Sequence, residues 1–90
     1  MNKEQLKNRE KNPDIRGEKP VLILLNDDFH TFEYVIESLV KICKHSPEQA
    51  EQCALIAHFK GKCEISKGKV EKLKIQRNAL TECGLKTIIE

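Results

Sequence analysis

Ninety residues leave room for one small domain. Sixteen Lys and Arg against fourteen Asp and Glu give a formal charge of +2, too even a balance to announce a nucleic-acid partner. No apolar run is long enough to cross a membrane, and the polar N-terminal stretch lacks the apolar centre of a secretory signal, so the chain is expected in the cytoplasm.

Residues 1–19 are rich in Lys, Glu, Asn and Arg and have almost nothing to bury, which predicts a disordered extension ahead of a domain over 20–90. Pro20–Leu25 is a short apolar run behind a proline, suited to a strand buried on both faces. Asn26–His30 then makes a turn. Thr31 is an N-cap for a helix whose inner stripe is Phe32, Val35, Ile36, Leu39 and Cys43, with Glu33 in its first turn.

His45-Ser46-Pro47 ends that helix and starts another, with Ser46 as N-cap, Pro47 at the first helical position and Gln49 completing a capping box. Along Pro47–Phe59, Ala50, Cys53, Ala54, Ala57 and His58 share one side, and Leu55, Ile56 and Phe59 the other. The large side chains are expected to fill a core while the small ones leave space. Gly61–Ser66 reads as a modest edge strand, and Ser66 as the cap of a third helix with Val70, Leu73, Leu80 and Cys83 inside. Gly84 suits the position just past that helix, and Leu85–Ile89 a last strand. The order β-α-α-β-α-β predicts an α+β fold, a small three-stranded antiparallel sheet with three helices on one face.

Four cysteines at 43, 53, 63 and 83 lie ten, ten and twenty residues apart, with no C-x-x-C pair and no spaced histidine partner. They read as small hydrophobes, and no metal or other cofactor is expected. The chemistry concentrates at Asn26, Asp27 and Asp28. An Asn-Asp-Asp run by itself is a turn whose side chains bond their own backbone. Here it closes a buried strand, so the side chains sit on a rigid rim, and His58 can point to the same place. Asn, Asp and neutral His offer acceptors and no fixed cation, which suits a free α-ammonium group with its three donors. Each charge-assisted bond is worth about 1.5–3 kcal/mol, and burial of an adjacent apolar side chain a similar amount. Association costs bring the total to about micromolar affinity. No nucleophile motif, phosphate loop or zinc signature accompanies the rim, so binding is expected rather than catalysis.

LLNDDFHTFEYVIESLVKIC followed by EQAEQCALIAHFKGK resembles the ClpS family of adaptor proteins, from about Pro20 to Glu90 and most strongly over Leu24–Lys62. The resemblance implies the fold above and a monomeric adaptor that carries substrates with bulky hydrophobic N-terminal residues (N-degrons) to a ClpA/ClpC-type AAA+ unfoldase. By position, Asn26, Asp28 and His58 would hold the substrate's α-amino group and first peptide, with Asp27 in the same motif. Leu24, His30, Val35, Ala54 and Ala57 would wall the hydrophobic pocket, and Phe32 would guard it where the family commonly has Met. Ala54 and Ala57 replace larger residues, which implies a wider base and a preference for large aromatic first residues. Lys69 and Lys74 fall on the surface that would dock the unfoldase, Lys69 near a position often acidic in the family. The N-terminal extension would engage the unfoldase during delivery. The alternatives are a regulatory relative that docks without N-degron binding, and a structural domain sharing the fold of the ribosomal stalk protein's C-terminal domain.

Overall fold

A computed structural model describes residues 19–90, so the extension expected over 1–19 lies outside the described residues except for Lys19. The sheet is organised around β1 (Val21–Leu25), in which three consecutive residues, Leu22, Ile23 and Leu24, are buried. A strand buried on both faces needs partners on both edges, and β1 has them. β2 (Lys62–Lys67) and β3 (Thr87–Ile89) pair with it antiparallel in the order β2-β1-β3. Register runs Leu24↔Cys63 and Leu25↔Lys62 on one side and Leu24↔Thr87 on the other, with an irregularity at Leu22/Ile23.

The helices α1 (Phe32–Cys43), α2 (Pro47–Lys60) and α3 (Val70–Glu82) complete the order β-α-α-β-α-β. Leu22, Leu24, Leu39, Leu73, Leu80 and Leu85 are fully enclosed and form the centre of the core. Each contributes about 1.5–3 kcal/mol by leaving water. Thr31 caps α1 by accepting from the Tyr34 N–H at 3.1 Å, and Ser46 caps α2 by accepting from the Gln49 N–H at 3.1 Å. His45 is buried between these helices, and its Nε2–H donates to the Ile65 carbonyl at 2.7 Å, tying the α1–α2 connection to β2.

Three expectations are corrected. Ser66 does not cap α3, because it still lies in β2. Lys69 is the N-cap and makes no side-chain cap bond. The largest correction concerns α2. Its small residues Ala50, Cys53, Ala54 and Ala57 face the core, while Ile56 and Phe59 stand in solvent and Leu55 is half-buried. Small side chains win the inner face because they allow a helix to approach its neighbours closely, and Leu39 with the sheet leucines already supplies the bulk. The strand expected over Leu85–Ile89 shortens to β3, with Leu85 instead a fully buried core residue before it.

Helix α1 ends at Lys44, which adopts a left-handed conformation (φ 62°) so that the His45 N–H reaches the Leu39 carbonyl. That backbone region costs a side-chain-bearing residue about 1 kcal/mol relative to glycine. Lys44→Gly is expected to raise stability by about that amount, read as a higher urea midpoint with an unchanged slope.

Candidate functional site

The end of β1, the start of α1 and the inner face of α2 meet without filling the space between them. The result is a cavity of about 240 Å³ opening to the surface. Leu24 and Leu25 approach it from β1, and Val35 from α1, while Ala54 and Ala57 supply the α2 wall. The mouth carries Asn26, Asp27, Asp28, His30, Thr31, Phe32 and His58. The rim residues and the apolar wall residues picked out in the sequence therefore surround one space. Leu25 and Thr31 line it too, a role that their strand and cap positions in the sequence do not announce.

The three rim side chains of the Asn-Asp-Asp turn have different jobs. Asp27 is enclosed by its own loop: Oδ1 accepts from the Phe29 N–H at 2.7 Å and the His30 N–H at 2.8 Å, and Oδ2 lies 2.7 Å from His30 Nδ1. Burial pushes the Asp27 carboxyl up, but the bonds from the His30 amide and ring and the Phe29 amide outweigh it, so it titrates below the ordinary carboxylate range. Asp27 thus closes the turn. Asn26 Nδ2 donates to Asp28 Oδ1 at 3.1 Å, which turns the Asn26 amide oxygen the other way as a fixed acceptor. Its backbone N–H is held by the Gly61 carbonyl at 2.9 Å, and this joins the rim to the end of α2 beside His58.

His30 is fixed from three sides. Asp27 holds Nδ1, the ring stacks on Tyr34 with centroids 4.7 Å apart, and Gly84 lies against its far edge. Tyr34 in turn donates its hydroxyl to the Cys83 carbonyl at 2.6 Å. Gly84 has φ 86°, and a Cβ there would come within 3.1 Å of His30 Cε1. The support from Tyr34, Cys83 and Gly84 is invisible in the sequence, where Tyr34 lies 49 residues from Cys83. Phe32 is exposed at the mouth with its ring edge-on to His58, centroids 5.4 Å apart.

Lys69 and Lys74 are exposed at the start of α3 and do not line the cavity. Among the described residues no cluster of three or more His, Cys, Asp or Glu is placed to hold a metal. Two of the thiols are poor nucleophiles: burial pushes Cys43 up to about 11, and burial with its Cys53 neighbour pushes Cys63 up to about 12. No helix among the described residues is long and apolar enough to cross a membrane.

An apolar hollow rimmed by side-chain acceptors, on a three-stranded sheet backed by three helices, defines a small α+β domain with an open cavity. Comparison with known proteins places it further. The family model described as ATP-dependent Clp protease adaptor protein ClpS matches residues 17–86, and the chain belongs to the ClpS family. The ClpS adapter of Salmonella arizonae is 35% identical over 57 residues, 61% of this chain and 54% of that protein. That of Cronobacter sakazakii is 36% identical over 56 residues, 60% of this chain and 53% of that protein. The chain spans about half the length of these curated relatives. In fold it is similar to Agrobacterium tumefaciens ClpS2 solved bound to L-phenylalaninamide, with a TM-score of 0.73 and 20% identity, covering 80% of this chain and 96% of that one.

Two outcomes test the turn. Gly84→Ala is expected to cost about 1–3 kcal/mol from backbone strain and displacement of His30, seen as a lower melting temperature. Because the folded pKa of Asp27 is depressed, its stabilising contribution is complete above the ordinary carboxylate range and is lost as pH falls through the folded value. The stability gap between wild type and Asp27→Asn, followed by urea denaturation, should therefore be widest near neutral pH and narrow in acid.

Proposed function

We propose that this protein is an adaptor which binds polypeptides by a free α-amino group and a bulky hydrophobic first side chain, and delivers them to a ClpA/ClpC-type AAA+ unfoldase. The observation that carries the reading is the pairing of two surfaces in one cavity: an apolar interior of Leu24, Val35, Ala54 and Ala57 beneath a rim of Asn26, Asp28 and His58. An α-ammonium group has three donors. The Asn26 amide oxygen, the Asp28 carboxylate and an unprotonated His58 nitrogen can each accept one. The first side chain then drops into the apolar interior. L-phenylalaninamide, the ligand of the Agrobacterium relative, has this same pair of features, a free α-amino group beside a benzyl side chain.

Asp27 acts through the turn in this reading: its carboxylate keeps the rim in shape and adds negative potential beside the ammonium. Phe32 stands at the mouth as a stiff barrier, and the small Ala54 and Ala57 leave the interior wide enough for an aromatic ring. The rim offers acceptors to a cation, which supports binding as its task. Lys69 and Lys74, exposed on α3, are proposed as part of the unfoldase-docking surface.

Fluorescence anisotropy with peptides differing only at residue one tests the reading. Phe-, Trp-, Tyr- and Leu-initiated peptides should bind with about micromolar dissociation constants and lose binding when the amino group is acetylated. Binding indifferent to acetylation would rule out α-amino recognition. His58→Ala should weaken the free peptides about tenfold or more by removing one acceptor of a charged donor. Ala54→Met should fill the interior and weaken Trp- and Phe-initiated peptides more than Leu-initiated ones; an equal loss for all three would place the first side chain elsewhere.

A further inference from the structure

The large residues of α2 that the core does not use need an account. Phe59 is 77% exposed and Ile56 39%, on the outer face of the helix whose inner face lines the cavity. They are not isolated from the site. The His58 ring, at the cavity mouth, meets Phe32 edge-on at 5.4 Å and Phe59 edge-on at 4.9 Å. An aromatic surface therefore runs unbroken from the guard of the cavity, across His58, to Phe59. The bond from the Asn26 N–H to the Gly61 carbonyl pins this end of α2 beside the acceptor rim.

The cavity, about 240 Å³, has room for one large side chain. With an α-amino group at Asn26, Asp28 and His58, the second residue of the bound chain has to lie outside, on the rim. On its α2 side that rim offers an exposed phenyl ring, and water is released only if an apolar side chain covers it. We infer that Phe59 is a specificity-determining residue that selects large apolar side chains at the second position of the bound polypeptide. The inference rests on the N-terminal reading above and adds a second subsite to it.

The test uses paired peptides beginning Phe-Leu and Phe-Ser, identical beyond residue two, each with a free or an acetylated amino group. Half-covering a leucine side chain should favour Phe-Leu about fivefold over Phe-Ser with the wild-type protein. Phe59→Ala should bring that ratio to about one, and Phe59→Tyr, which keeps the ring, should retain it. Ile75→Ala, which removes an equally exposed apolar residue on α3 away from the cavity, should leave the ratio as in wild type. Equal binding of the two free peptides by wild type, or a ratio unchanged in Phe59→Ala, overturns the inference while leaving α-amino recognition standing. Acetylated peptides that bind as well as free ones overturn α-amino recognition, whatever the ratio does. No binding by any peptide overturns both. Sedimentation of the free protein as a dimer that Phe59→Ala dissociates would assign the strip to self-association instead.

Discussion

Everything at the site depends on how closely α2 can lie against the rest of the domain. Ala50, Cys53, Ala54 and Ala57 form its inner face, and such short side chains bring the helix near α1 and β2 without filling the wedge towards the end of β1. Deep in the domain Leu22, Leu39 and Leu73 close that wedge completely. Towards the end of β1, Leu24, Leu25 and Val35 border the space beside Ala54 and Ala57 without filling it, and the wedge remains open as the cavity. A pocket of this kind is inexpensive in stability because, of the six enclosed leucines that hold the domain together, only Leu24 borders it.

The rim is rigid for a different reason. A turn of Asn, Asp and Asp has many ways to bond with itself, and one set of partners has been selected. Asp27 gathers two backbone amides and the His30 ring, His30 lies on Tyr34, and Tyr34 is anchored on the carbonyl that follows α3. The turn is thereby braced against the C-terminal part of the domain. Asn26 and Asp28 bond to each other at the mouth of the cavity, and for the ligand proposed above their positions would be set before it arrives. Such preorganisation lowers the ordering cost of binding. The two carboxylates of the run differ in their bonding, since Asp27 is engaged by its own turn and Asp28 by the Asn26 amide.

Much of this was legible in the chain itself. The apolar run over Pro20–Leu25, the caps at Thr31 and Ser46 and the helical stripes are local signals, set by backbone chemistry within a few residues, and the elements lie close to where they are expected. The run at Asn26–Asp28 and the small-residue side of α2 could be singled out because both break the ordinary pattern of their elements. The start of α3 was misjudged because Ser66 is a good cap in isolation, yet pairing with Leu22 keeps it in β2. Nothing in the sequence marks Tyr34 and Gly84 as supports of His30, for nothing local distinguishes a tyrosine that stacks on a histidine from one that covers a helix.

The sequence by itself determined the order of elements, the buried central strand, the acceptor character of the rim and the resemblance that identifies the ClpS family, because each of these is written in residues near one another. Only the tertiary structure decided which face of α2 turns inward. Periodicity separates two sides of a helix but cannot say which one meets the core, and the outcome rested on bulk already supplied from α1, α3 and the sheet. The same packing brought His58 to the rim, left Phe59 beside it in solvent and set Gly84 against His30, three placements that no local rule contains.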